Sequence, residues 1–332
     1  QDLTNYIPLK HGDEIPLTQY DAHGVEASGL LKMDFLGLRN LTFVQKMQEL
    51  LAETEGIKIA INEIDLEDKE TLALFASGNT KGIFQFEQPG ALRLLKRVQP
   101  VCFEDVVATT SLNRPGASDY INNFVARKHE QEEVTVLDPV LEDILAPTYG
   151  IMLYQEQVMQ VAQRFAGFSL GKADILRRAM GKKDAFAMHE MRASFIQGSI
   201  EAGHTAEKAE QVFDVMEKFA GYGFNRSHAY AYSALAFQLA YFKTHYPAIF
   251  YQVMLNSANS DYLTDALEAG FEVAPLSINT IPYHDKIANK SIYLGLKSIK
   301  GVSKDLALWI IENSPYSNIE DFVAKLPENY LK

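Results

Sequence analysis

At 332 residues the chain has room for two or three domains, and its 47% hydrophobic and 22% charged content excludes wholesale disorder. A formal net charge of -12 argues weakly against a general nucleic-acid coat and leaves room for a local basic groove. A single cysteine, Cys102, excludes a disulfide framework or a cysteine-based zinc site, and no apolar run reaches the roughly 18 residues of a membrane span.

Residues 1–29 carry Pro8, Gly12, Pro16, Gly24 and Gly29, which break any period and predict turns and short strands. Residues 30–39 read as a short apolar strand holding one acid, Asp34, with Gly37 at the turn; the apolar spacing from Leu38 to Leu51 then predicts a helix. An ionised carboxylate buried in that strand needs a metal ion, a cation such as Lys32, or backbone donors beside it. A metal ligand and a structural hydrogen-bond network are the two readings of Asp34. The acid-rich stretch from Glu63 to Glu70 lacks the glycine and spacing of a calcium loop and reads as a helix start capped by Asp65 or Asp68. The helix is expected to end near Ser77-Gly78-Asn79.

Residues 80–87 alternate as a strand would, and Gln88-Pro89-Gly90 leads into a helix bearing Arg93, Lys96 and Arg97. The run from Thr109 to Gly116 offers hydroxyls, the Asn113 amide and the Arg114 guanidinium just before a Pro-Gly helix start. Such a start attracts phosphate through free N–H groups, and an ordinary capped loop is the competing reading.

From about 153 to 270 the pattern is almost wholly helical. A helix from Asp174 to Met180, with Ile175, Leu176 and Ala179 inward, gathers Arg177, Arg178, Lys182 and Lys183 at its C-terminal end. Those cations complement a helix dipole, or they meet an anionic ligand. Two further helices are predicted over 184–201 and 205–219. The stretch Tyr222-Gly223-Phe224-Asn225-Arg226-Ser227-His228 then opens a long helix to about His245, stopped by Pro247. Tyr232 lies four residues beyond His228 and shares its face, where a base could stack on the ring. Tyr230, Phe237 and Tyr241 are predicted to be core. The fold is expected to bring the cation cluster and the 222–232 stretch to one phosphate-rich ligand.

Residues 271–295 turn strand-like, and two short helices follow at about 304–313 and 317–326. A helix–turn–helix unit opening on Gly301-Val302 resembles a helix-hairpin-helix module, which binds nucleic-acid backbone through N–H groups at a helix start. Lys300, Gly301 and Lys304 are its candidate phosphate contacts. Ser303 stands where the pattern usually has a second glycine. Neither phosphate-cradling nor zinc-ligand spacing occurs anywhere in the chain.

Six strings in order resemble one family, the alpha subunit of bacterial DNA polymerase III: the run from Leu31 to Arg39, Gly82 to Glu87, Ser111 to Gly116, Tyr154 to Met159, Leu176 to Lys183 and Tyr222 to His228. The resemblance runs through nearly the whole chain. It implies a mainly α fold with small β elements, a multi-lobed helical fingers domain attached to a partial palm sheet. Residues 1–45 would be the C-terminal part of the palm, 46–257 the fingers, and 258–332 linker strands with the start of a helix-hairpin-helix module. The family adds deoxynucleoside monophosphates to a primer 3′ end, with two divalent metals, normally Mg2+, held by palm aspartates. Asp34 matches the third of these, both catalytic and metal-binding, and no earlier stretch matches the motif carrying the others. The chain is therefore read as a fragment, expected to be inactive alone. By the same resemblance Lys32, Arg177, Arg178, Lys182 and Lys183 face nucleotide phosphates or DNA backbone. Asn225, Arg226, His228 and Tyr232 line the nucleotide pocket. Asn113 and Arg114 join Lys300, Gly301 and Lys304 as further DNA contacts. The family usually has Lys where Arg226 stands.

The implied partners are primer–template DNA, deoxynucleoside triphosphates and replisome subunits such as a sliding clamp, in a bacterial cytoplasm and without a membrane. Two other readings are a non-catalytic helical nucleic-acid-binding module and a helical scaffold whose basic clusters are only helix ends.

Overall fold

The computed structural model describes residues 2–33, 35, 37–114, 116–182, 185–219, 223–257 and 261–330, with the side chains of 181, 182, 185 and 261 left aside. The chain folds as two compact units, 1–39 and 40–332.

The first unit carries a small antiparallel hairpin of β1 (Leu9–His11) and β2 (Pro16–Thr18), with Leu9 opposite Thr18. Helix α1 (Ala22–Ala27) follows, capped by the Asp21 carboxylate on the Gly24 N–H at 2.8 Å. The apolar strand expected over residues 30–36 does not form among the described residues: Leu31, Met33 and Phe35 lie in irregular chain, with Phe35 88% exposed. An apolar run becomes a strand only where a neighbouring strand supplies ladder partners, and the described residues pair none with it.

The second unit is helical, with one small sheet. Helix α2 (Arg39–Glu55) buries Phe43, Val44, Met47 and Leu51, at the spacing read from sequence. Helix α3 (Lys69–Ser77) starts at Asp68, whose side chain accepts from the Thr71 N–H, and ends at Gly78 in the left-handed region. The expected strand at 80–87 is instead a chain of tight turns, with Ile83 N–H donating to Thr80 O and Phe86 N–H to Ile83 O. Gly82 and Gln85 both have positive φ, +80° and +65°, which no strand accommodates. The turns instead seat Ile83 and Phe86, three residues apart, in the core.

Helices α4 (Pro89–Val98), α5 (Phe103–Leu112) and α6 (Ile121–Lys128) come next, and Pro89 at the first turn fits its fixed φ. The short α7 (Glu142–Leu145) precedes four helices that pack around their own core: α8 (Gln155–Ala166), α9 (Leu170–Lys182), α10 (Ala185–Glu201) and α11 (Ala206–Phe219). Phe165, Phe195 and Phe213 are fully buried there. Within α9, Leu176 and Ala179 point inward as predicted, whereas Ile175 is 55% exposed; Ala173 and Met180 take the inner positions instead.

The long α12 (Arg226–His245) is followed directly by α13 (Pro247–Ser257), so Pro247 both ends one helix and begins the next. Phe237 of α12 stacks on Phe75 of α3 at 5.9 Å and meets Phe103 of α5 edge-on at 5.7 Å, so α12 is the axis of this half of the unit. Of the expected aromatic stripe, Phe237 is core but Tyr230 is exposed. Buried Lys243 is held by Asp265 of α14 (Asp261–Glu268) at 2.8 Å, and Tyr251 donates to the same carboxylate. A three-stranded sheet in the order β3 (Glu272–Val273), β5 (Ser291–Tyr293), β4 (Lys286–Ala288) leads to the final pair, α15 (Lys304–Glu312) and α16 (Ile319–Lys325). The fold is thus mainly α with small β elements. Among the described residues no helix is long and apolar enough to cross a membrane.

Candidate functional site

The loop before α8 is the hub. Its backbone pairs with the entry to α12, Gln155 N–H donating to Phe224 O at 2.9 Å beside a Tyr154–Phe224 bridge. The Gln155 side chain then joins both sequence motifs: its Nε2 donates to Gly223 O at 3.1 Å, and its Oε1 accepts from Arg177 at 3.4 Å. Gln155 thus bridges Arg177 of α9 to the entry of α12.

Helix α12 begins on a dense set of polar contacts. Asn225 caps it, its Oδ1 accepting from the His228 N–H at 2.8 Å and from Ser227 Oγ at 2.7 Å. Glu156 accepts from Asn225 Nδ2 at 3.0 Å and from the Arg226 N–H at 2.9 Å. The Arg226 guanidinium pairs with Glu104 of α5 at 2.5 Å. A carboxylate at a helix start also suits the dipole.

The predicted nucleotide set divides over two faces of α12. At about 100° per residue, Arg226 and His228 point roughly 200° apart, whereas His228 and Tyr232 share a side. Arg226 lies with Glu104, Tyr154 and Tyr230, its guanidinium 5.9 and 6.0 Å from those two rings. It borders a cavity of about 590 Å³ whose walls also carry Asp143 and Glu156. With carboxylates outnumbering the guanidinium, that cavity repels a polyanion. On the other side the His228 and Tyr232 rings are 4.0 Å apart, edge to face, and Tyr232 meets Phe84 at 5.3 Å. The Arg114 guanidinium lies 3.7 Å over the Phe224 ring, which in turn meets His228. Burial first, and the Arg114 charge second, hold the His228 imidazole below 6.5.

Three of the predicted cations carry internal counter-ions. Asp174 accepts from Arg177 at 2.7 Å and from Arg178 at 2.8 Å, one turn along the same helix, and Glu104 holds Arg226. The Asp174 carboxyl is held below 3.8, first by the Arg177 hydrogen bond. Lys32 belongs to the first unit. Asp34 and Lys183 lie outside the described residues, as does the side chain of Lys182. Among the described residues no group of three or more His, Cys, Asp and Glu side chains could hold a metal ion.

In the terminal hairpin Gly301 has φ +93°, and Ser303 caps α15, its hydroxyl accepting from the Leu306 N–H at 3.2 Å. Lys300 and Lys304 flank that turn. Leu296, Ala307, Ile310 and Tyr316 form a separate small core for the hairpin. Where the second glycine would stand, serine supplies a cap. The sequence reading passed over Phe84, Glu104, Gln155 and Glu156. Phe84, Gln155 and Glu156 stand inside the family motifs; Glu104 carries no local signal of its partner.

Residues 40–203 match the bacterial DNA polymerase III alpha subunit finger domain, and residues 270–332 match a helix-hairpin-helix motif. The chain is 64% identical over 330 residues to DNA polymerase III subunit alpha of Streptococcus pyogenes, covering 99% of the chain and 32% of that protein. The proteins of the same name from Staphylococcus epidermidis and Thermus aquaticus are 42% and 41% identical, again over 99% of the chain, which covers 32% and 28% of them. The chain thus spans about a third of the length of these relatives.

Proposed function

Because the chain belongs to the bacterial DNA polymerase III alpha-subunit family, we propose that it supplies the fingers and a DNA-binding hairpin to template-directed DNA synthesis. The reaction is addition of a deoxynucleoside monophosphate to a primer 3′ hydroxyl, with primer–template DNA and deoxynucleoside triphosphate as the ligands. Contacts of the whole protein with replisome partners such as a sliding clamp belong to the same reading. The observation that carries it is the Gln155 bridge, which links Arg177 of α9 to the aromatic entry to α12.

Phosphoryl transfer asks a protein mainly for positioning and charge neutralisation. In this reading Arg177 and Arg178, planar forks suited to phosphate oxygens, take up a triphosphate in exchange for Asp174. His228, uncharged at neutral pH, and Tyr232 offer ring faces to a base, while Lys300, the Gly301 turn and Lys304 meet DNA backbone. Magnesium ions would neutralise the reacting phosphates, and Asp34 is their proposed ligand. The described residues offer no carboxylate cluster for the ions, so the steps derived from them are binding and orientation alone.

The test is equilibrium binding of a fluorescent deoxynucleoside triphosphate at low and moderate salt. Arg177→Ala and Arg178→Ala are expected to weaken it by about tenfold at low salt, the value of one charge-assisted contact. Unchanged affinity in both variants would return the cluster to a helix-end role.

A further inference from the structure

A second cavity, of about 280 Å³, lies between α4 and the end of α5. Its polar lining is Gln85, Gln88, Thr109, Thr110, Asn113 and Arg114. The two threonine hydroxyls are occupied: Thr109 donates to Asp105 O, and Thr110 meets Ser233 Oγ at 3.0 Å. The carboxamides of Gln85, Gln88 and Asn113 are different. None of them makes a side-chain hydrogen bond among the described residues, and no carboxylate pairs with Arg114 there. Arg177, Arg178 and Arg226 are all ion-paired, so Arg114, unlike those three, needs no internal anion displaced.

Two aromatic contacts adjoin lining residues of this cavity. Arg114 itself lies over Phe224, which leads to His228. Gln85 follows Phe84, whose ring meets Tyr232. Gln85 is also held at φ +65°, a conformation few non-glycine residues adopt and one that clusters at ligand sites. The cavity lies just below the roughly 300–1,000 Å³ range of ligand pockets, a size for one base and its sugar.

We infer that this cavity receives one unpaired nucleotide of a single-stranded DNA, with Arg114 on its phosphodiester and the carboxamides on its base edge. The inference rests on the polymerase reading above and names a separate strand-binding position within it. Charge selects the ligand. One guanidinium balances one phosphodiester, whereas a triphosphate brings several negative charges and suits the α9 cations instead. Carboxamides carry a donor and an acceptor each, so they pair with the edges of different bases. Ring faces stack on any base.

The experiment compares fluorescein-labelled oligothymidylate with a fluorescent deoxynucleoside triphosphate, each titrated into the 332-residue chain at several salt concentrations. Arg114→Ala should weaken oligothymidylate binding by about tenfold and lower the salt slope by about one, with triphosphate affinity held within about twofold. Gln88→Ala should weaken oligothymidylate by about threefold with the salt slope unchanged, because a neutral group releases no counterion. Gln88 is exposed and unpartnered, so it decides the matter if Arg114→Ala alters the circular dichroism spectrum. Oligothymidylate binding that both variants leave intact overturns the inference while the polymerase reading stands. Equal loss of both probes in Arg114→Ala overturns it in favour of a triphosphate site. A wild-type chain that binds neither probe overturns the inference and the polymerase reading together.

Discussion

Gln157 is the side chain on which the hub most directly depends. Its buried carboxamide uses every hydrogen-bonding position: Oε1 accepts from the N–H groups of Leu153 and Tyr154 at 2.8 and 2.9 Å, and Nε2 donates to Ile144 O at 3.1 Å and Thr148 Oγ at 2.8 Å. Leu153 and Tyr154 are themselves buried. Gln157→Ala strands both of their N–H groups, each at about 1–3 kcal/mol, so the expected loss is about 4 kcal/mol. Against a typical domain stability of about 5–15 kcal/mol, that is a large fraction. Urea unfolding followed by circular dichroism measures it as a fall in midpoint at unchanged slope. Gln157→Glu keeps both acceptor contacts but loses the paired donors and buries a carboxylate. Burial raises the folded-state pKa of that carboxylate above its unfolded value, so stability is lost as pH rises above about 4.5. A cost below about 1 kcal/mol for Gln157→Ala would refute the reasoning, because it would mean that water reaches the hub and replaces the amide.

Three further outcomes follow from single contacts. Burial alone would raise the Asp68 carboxyl, but hydrogen bonds from Thr71 and His245 outweigh it and hold it below 3.8; its stabilisation is complete above that value and lost as pH falls through the folded one. Thermal midpoints measured down the acid range should therefore drop less steeply in Asp68→Asn, which keeps the cap. His228 is held below 6.5 by burial and by Arg114, so protonation favours the unfolded chain as pH falls below about 6.5; Arg114→Ala should move the imidazole C2–H titration upward by NMR, and a fixed titration would show that the guanidinium charge is not felt there. Ser303→Ala should cost about 1 kcal/mol and Ser303→Gly only a few tenths, read as faster hydrogen exchange at the Leu306 amide in the alanine variant.

Helix ends were legible because local chemistry sets them. Asp68 caps and Gly78 closes α3 at positions that residue type alone suggests, and Asn225 and Ser303 prove to cap α12 and α15 although the sequence reads them as a ligand contact and as a missing glycine. The two failed strands were illegible for distinct reasons. At 80–87 the buried pair Ile83 and Phe86 is spaced by three, a turn period that mixed residues disguised as alternation. At 30–36 the pattern was apolar, but a ladder depends on neighbours that no local pattern specifies. Ile175 fell on the wrong face because the arc of α9 is centred on Ala173, Leu176 and Met180.

The functional residues divide in the same way. That four cations gather near residue 180 is visible in the chain, and so is one of their anions: Asp174 stands three and four residues before Arg177 and Arg178, the spacing at which helix side chains meet. Glu104 is 122 residues from Arg226 and reaches it only through the packing of α5 on α12. The counter-ions change what the arginines do. A phosphate arriving at Arg226 or Arg177 gains only the difference between its own attraction and that of the carboxylate it displaces, while Arg114 offers its charge without an exchange. The helix period divides the site again, since Arg226 faces an acidic cavity whereas His228 and Tyr232 meet Phe224 and Phe84. A positive charge on the Arg226 side therefore anchors α12 to α5. On the aromatic side the proposed strand contact is Arg114, from the run that residue type alone left open between a phosphate-binding start and a capped loop.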